Sequence, residues 1–217
     1  MIILAHRGIW NSPAEKNSAT AIQHACDAGY GLEFDIRDSG RNLVVSHDIP
    51  ADRVLPLNEV GATLQSFKST IAFNIKSDGL TSKLKSFLDL LKIQNYFCFD
   101  MSIPETYSYH CKGINFFTHI SDIQSNPVLI DSPLCKGIWL DSFHSIWYDL
   151  EILLHFQKQY CLPFCFVSED LHGRDNSFQW SLLRKFNKKS GFDNLLCTDL
   201  PKQANDFFNN NLRFIDD

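Results

Sequence analysis

Met1-Ile2-Ile3-Leu4-Ala5-His6-Arg7-Gly8 and Gly31-Leu32-Glu33-Phe34-Asp35-Ile36 are the stretches that decide the fold. Each is a short apolar run of strand character, and each ends on or alternates with groups that carry chemistry. Residues 17–28 between them carry apolar positions at helical spacing, so the unit reads strand, helix, strand. The alternation continues to the end of the chain. Strands are expected at about 2–5, 31–36, 70–75, 96–100, 114–118, 137–141, 163–167 and 194–197, and helices at about 17–28, 80–93, 102–111, 148–161, 177–188 and 202–210. Eight strands separated by helices imply parallel pairing with right-handed crossovers. They close most naturally into a (β/α)8 barrel, an α/β fold in a single domain over 1–217. Alternation alone also allows an open doubly wound sheet.

Local signals place several boundaries. Ser18 or Asn17 is suited to cap the first helix and Thr81 or Ser82 the helix over 80–93, while Pro201 suits the first turn of the last helix. Residues 42–46 suggest a local hairpin. In 119–136, interrupted by Pro127 and Pro133, a short or broken helix is expected.

Composition narrows the classes of function. The 217 residues are 44% apolar and 13% aromatic, enough for one large core. A net charge of -5, from 20 Lys and Arg against 25 Asp and Glu, speaks against a nucleic-acid binder, which carries a basic face. Seven scattered cysteines without a Cys-x-x-Cys pair indicate neither a disulfide framework nor zinc, and suit a reducing, cytoplasmic setting. No apolar run reaches membrane-spanning length. Oligomeric state is left open.

In a barrel, reactive groups gather at the C-terminal ends of the strands. His6, Glu33, Asp35, Asn74, Lys76, Asp100 and Asp141 all fall at or just beyond expected strand ends. Glu33 and Asp35 are two apart, so both carboxylates project from one face, roughly 6 to 7 Å apart along the strand. Such a pair repels itself unless a cation joins it, and Mg2+ or Ca2+ is the simplest partner. The plainer alternative is a solvated pair bridged to Arg37. His6 and His47 bracket the carboxylates and can exchange protons near neutral pH, one taking a proton from a nucleophile while the other protonates a leaving alkoxide. Arg7 offers a fork for phosphoryl oxygens. Around the rim, Trp139, Asp141 and His172 are candidates for specificity, with Trp139 able either to stack on a polyol or to fill the core.

Taken in order, His6-Arg7-Gly8, Glu15 with Asn17-Ser18, Glu33-x-Asp35, His47-Asp48, Asn74-Ile75-Lys76 and Cys197-Thr198-Asp199-Leu200-Pro201 resemble the glycerophosphodiester phosphodiesterase family. The resemblance spans nearly the whole chain. It implies a barrel similar to that of the phosphoinositide-specific phospholipases C, a small phosphodiester as substrate, and a divalent cation as cofactor. It also implies His6 and His47 as acid and base, Glu33 and Asp35 as metal ligands, and Arg7 and Lys76 as phosphate contacts. Two departures stand out. Asn74 occupies the place of the family's third metal-binding carboxylate, so the cation loses one negative charge and is held more weakly. One residue is also inserted between Glu15 and Asn17, where capping the first helix is the expected role of Asn17. A barrel that retains phosphate binding but has lost catalysis is the alternative of a different class. The paired histidines argue against it, and a metal hydrolase of another barrel family would need a His-x-His cluster that this chain lacks.

Overall fold

The computed structural model describes residues 1–50 and 54–210. The chain runs β1 (Ile2–His6), α1 (Ala19–Asp27), β2 (Gly31–Ser39), β3 (Asn42–Val45), β4 (Leu55–Pro56), α2 (Gly61–Ser66), β5 (Ile71–Ile75), α3 (Thr81–Leu91), β6 (Tyr96–Phe99), α4 (Ile103–Cys111), β7 (Phe116–Ile120), β8 (Cys135–Leu140), α5 (Leu150–Tyr160), β9 (Phe164–Val167), α6 (Ser177–Lys189), β10 (Leu195–Thr198) and α7 (Pro201–Asn205). β1 pairs in parallel with both β2 and β10, and this double pairing closes the sheet. The eight parallel strands β1, β2, β5, β6, β7, β8, β9 and β10 form the barrel, and the open doubly wound alternative is excluded. β3 and β4 are an antiparallel extension of β2, which makes the expected hairpin over 42–46.

Side-chain alternation sorts the core into two shells. Leu32, Phe34 and Ile36 of β2 face outward onto the helices, with Ile22, Ala25, Leu84 and Leu88. Inside the barrel lie Leu4, Ala72, Phe97, Phe99, Phe117, Trp139, Cys165, Val167, Leu195 and Cys197. Large rings alternate there with small residues, as a filled barrel needs. Phe97 stacks on Phe117 and Phe99 on Trp139, each with ring centroids 3.7 Å apart. Gly137 makes this packing possible, because a Cβ there would lie 2.4 Å from the Phe117 ring. All seven cysteines are free, and Cys98, Cys135, Cys165 and Cys197 are buried. Among the described residues no helix is long and apolar enough to cross a membrane.

Three local expectations are corrected. Between β7 and β8 the described chain makes turns and no helix, with Pro127 and Pro133 in the segment and Leu129 in the left-handed region at φ 53°. The cap of α1 is Ser18, whose hydroxyl accepts the Ala21 N–H at 3.1 Å, so Asn17 is released from that role. Neither Thr81 nor Ser82 caps α3. The residue before α3 is Leu80, and the Thr81 hydroxyl donates instead to the buried Glu105 at 2.6 Å.

Candidate functional site

The site is assembled from adjacent strands. His6 at the end of β1 pairs in register with Glu33, and Asp35 on β2 pairs with Asn74 on β5, which brings His6, Glu33, Asp35, Asn74 and Lys76 to one end of the barrel. Immediately after β1 the chain turns sharply. Arg7 has φ 58° and Gly8 φ 85°, and a side chain at Gly8 would collide with the Ala21 backbone at 2.5 Å. The turn directs the Arg7 backbone N–H to the Glu33 side chain at 3.1 Å and sets its Nε 2.8 Å from Asp35 Oδ2.

Glu33 and Asp35 are both fully buried. Burial, and then the neighbouring Asp35 charge, push the Glu33 carboxyl up to about 7, against the pull of His6, Arg7 and Lys76. Asp35 is held by Asn17, whose amide donates to Oδ2 at 2.7 Å and whose Oδ1 accepts the Asp35 backbone N–H at 3.2 Å. Lys76 Nζ stands 3.5 Å from Asp35 Oδ1. Arg37 turns away, its guanidinium donating to the Lys76 carbonyl at 2.7 Å, so the solvated-pair alternative for Glu33 and Asp35 does not hold.

At this end of the barrel three buried side-chain oxygens of the strands are without a hydrogen bond: Glu33 Oε1, Asp35 Oδ1 and Asn74 Oδ1. Buried acceptors left in this way are the donor set a hard cation satisfies, so these residues fit Mg2+ or Ca2+. Among the described residues no three His, Cys, Asp or Glu side chains gather as a metal site. Arg7 and Lys76 already offset the two carboxylates, which weakens the hold on an added cation.

His6 is fixed at one nitrogen. Its Nδ1 lies 2.6 Å from Asp199 Oδ1, and its Nε2 faces the cluster, 4.0 Å from Glu33 Oε2. Asp199 is held in turn by the Lys16 ammonium at 2.8 Å and by its own backbone N–H to Asp170. Burial works to raise the Asp199 carboxyl, but the His6 and Lys16 contacts outweigh it and lower it below the ordinary range. Lys16, the inserted residue, also lies over the Trp10 ring, 4.5 Å from its centroid. Glu15 faces away from the site, accepting the Asn11 backbone N–H at 3.0 Å.

His47 stands on the loop after β3, half exposed, with Nδ1 2.8 Å from Asp48. Among the described residues no hydrogen bond or ion pair ties it to the buried cluster. The Asp48 carboxyl is lowered, first by its hydrogen bond to His47 and then by the charges of His47, Arg7 and Arg37.

At the rim, Trp139 is only 5% exposed and belongs to the barrel interior, stacked on Phe99, so it is no platform for a substrate. Asp141 and His172 pair at 2.7 Å. The sequence reading missed Lys16 and His119, and it misassigned Asn17. The insertion beside Glu15 was the visible sign for the first. Nothing in the linear order marks His119, which meets Asp100 only because β6 and β7 are neighbours.

No family model matches this chain, and no curated protein matches it. Solved structures do. A glycerophosphodiester phosphodiesterase from Parabacteroides distasonis is 15% identical with a TM-score of 0.66, covering 96% of this chain and 97% of its own. The enzyme of that name from Thermotoga maritima is 18% identical at 0.66, covering 94% and 97%, and that from Agrobacterium tumefaciens 17% at 0.61, covering 91% and 96%. A tryptophan synthase complex from Pyrococcus furiosus matches at 0.55 and 14% identity, covering 97% and 94%, so the likeness is one of barrel architecture and does not by itself carry an activity. The chain has the closed barrel fold of these glycerophosphodiester phosphodiesterases, the same proteins its motifs resemble.

Proposed function

We propose that this protein hydrolyses a phosphodiester of the glycerophosphodiester type. The observation that carries the reading is His6, anchored through Nδ1 on Asp199 at 2.6 Å with Nε2 turned toward buried Glu33, next to Asp35 and the Arg7 and Lys76 cations paired with it. Anchoring one ring nitrogen on a carboxylate fixes the tautomer and leaves the other nitrogen to take or give a proton. A binding module has no need of that arrangement.

Arg7 and Lys76 grip the phosphoryl oxygens, sharing their charge with Asp35. One of His6 and His47 takes the proton of the attacking hydroxyl, from water or from a neighbouring hydroxyl of the substrate. The other protonates the departing alcohol. Attack by a neighbouring hydroxyl gives a cyclic phosphate, which is then hydrolysed. Glu33, Asp35 and Asn74 would hold Mg2+ or Ca2+, which when bound supplies charge neutralisation at the phosphate. Asp199 and Lys16 position His6, and Asn17 positions Asp35.

The test is release of free alcohol from a panel of glycerophosphodiesters with EDTA, Mg2+, Ca2+ or Mn2+ added. Turnover is expected, and it should increase with a divalent cation. Tight binding of glycerol phosphate with no product under any metal condition would assign a phosphate-binding barrel instead.

A further inference from the structure

A cavity of about 530 Å³ opens beside the phosphate site and shares Lys76 with it. Its walls come from the C-terminal ends of β5, β6 and β7, the segments that follow them and the loop after β8, with Asp100, Ser102, Thr106, His119 and Phe143 as the informative residues. The chemistry proposed above uses none of these five, and the space is several times what a glycerol unit fills, within the few hundred Å³ usual for small-molecule sites.

The polar groups are ordered. Asp100 Oδ1 lies 3.2 Å from His119 Nδ1, which leaves His119 Nε2 on the far edge of the ring as its remaining polar atom. A carboxylate carries about four acceptor positions, so Asp100 keeps capacity for hydroxyl donors beyond His119. On the α4 side the Ser102 hydroxyl donates to Asp78 at 2.8 Å and the Thr106 hydroxyl to the Ser102 carbonyl at 2.9 Å, so each oxygen offers a ligand an acceptor.

Phe143 is 43% exposed yet firmly held. Its backbone N–H donates to Asp122 at 2.8 Å and its carbonyl accepts from Arg174 at 3.1 Å. Its ring lies nearly parallel to His119, with centroids 6.0 Å apart and planes at 18°, and meets His172 edge-on at 5.9 Å. An exposed aromatic ring with its backbone fixed offers a flat apolar face to a ligand. The charges of the wall oppose each other. Lys76 and Asp100 put both signs on this wall, so neither a cationic nor an anionic head group meets a surface of single opposite charge.

We infer, resting on the phosphodiesterase reading, that this cavity seats the alcohol of the substrate and that this alcohol is an uncharged polyhydroxylated ring. Its hydroxyls bond to Asp100, His119, Ser102 and Thr106, and its C–H face lies on Phe143.

The experiment compares kcat/KM for glycerophosphoinositol, a glycerol-linked hexose phosphodiester, glycerophosphocholine and glycerophosphoethanolamine, with wild type, His119→Ala and Phe143→Ala. The two ring substrates also separate a cyclitol from a sugar. A ring diester is expected to exceed both amine diesters by roughly tenfold or more, the value of one well-placed polar contact, and each variant is expected to collapse that ratio toward one. Equal or reversed preference in the wild type overturns the inference, as do variants that fold and keep the wild-type ratio. Should a variant fail to fold, the wild-type ratio alone decides. Turnover of the amine diesters with none of the ring diesters overturns the inference and leaves the phosphodiesterase reading standing. Absence of turnover on every diester overturns both.

Discussion

His6 gains its meaning from a partner 193 positions away, Asp199, and from the lysine that steadies that partner. His6→Ala and His47→Ala are each expected to lower turnover by roughly 100-fold or more with folding intact, since each removes one of the two proposed proton-transfer groups. Steady-state rates near wild type for either would end the acid-base reading. Asp199→Asn is expected to lower kcat by roughly 100-fold with little change in KM, because an amide can present a donor to Nδ1 and favour the wrong tautomer. A variant that shifts KM and leaves kcat alone would show that Asp199 merely shapes the pocket. At this scale the sequence offered residue types at strand ends, and the contacts that support them were unreadable. His6, Arg7, Glu33, Asp35 and Lys76 declared themselves by residue type at strand ends. The bond from Asn17 to Asp35 arises from a backbone turn with Asn17 at φ 63°, which no linear spacing announces.

Among the elements, all eight barrel strands were legible because each is a short apolar run set off by polar, turn or helical sequence, whereas α2 was not. Six residues are too few for a helical period, and Gly61–Ser66 is held in place by tertiary burial of Leu64, next to Leu57 and Val60 of the preceding turn. The segment between β7 and β8 misled in the opposite direction, its apolar residues forming turns. There Asp122 ties two loops together, accepting the Phe143 and His144 backbone N–H groups at 2.8 and 2.9 Å and the His144 ring at 2.6 Å. Burial works to raise this carboxyl, but those hydrogen bonds prevail and bring it to about 2. Its stabilisation is therefore complete above the ordinary aspartate range near 4 and lost as pH falls through about 2. Asp122→Asn should melt below wild type at pH 6, and the gap should close between pH 4 and pH 2 in thermal scans. A gap independent of pH would remove the carboxylate from the account. In the barrel wall, Gly137→Ala forces a Cβ against the Phe117 ring and should cost about 1–3 kcal/mol in denaturant titrations. A neutral result would mean that the Phe97 and Phe117 stack yields freely.

For the molecule as a whole, the strand and helix order was enough to propose the barrel, and closure required the β1–β2 and β1–β10 pairings to be seen. The proposed cation site is likewise a property of the assembled fold, since the three oxygens of Glu33, Asp35 and Asn74 come from two strands. Asn74→Asp should restore a third carboxylate and widen the melting-temperature difference between Ca2+ and EDTA beyond that of wild type. Binding energy adds to stability by mass action, at roughly 2–4 °C per kcal/mol for a chain of this size. Identical differences in the two proteins would show that residue 74 lies outside the cation's reach.

The seam between β1 and β10 also sets a timetable. During synthesis β1 emerges first and can pair early with β2, yet its other edge waits for residues 195–198, roughly 10–40 s later at ordinary ribosome speeds. For that interval the nascent chain carries an open strand edge, a template for association with other chains until the last strand arrives. The carboxylate that orients His6 arrives with that same last strand. A partly made chain thus holds the histidine without its anchor, and the seam that completes the barrel is also what brings Asp199 to His6.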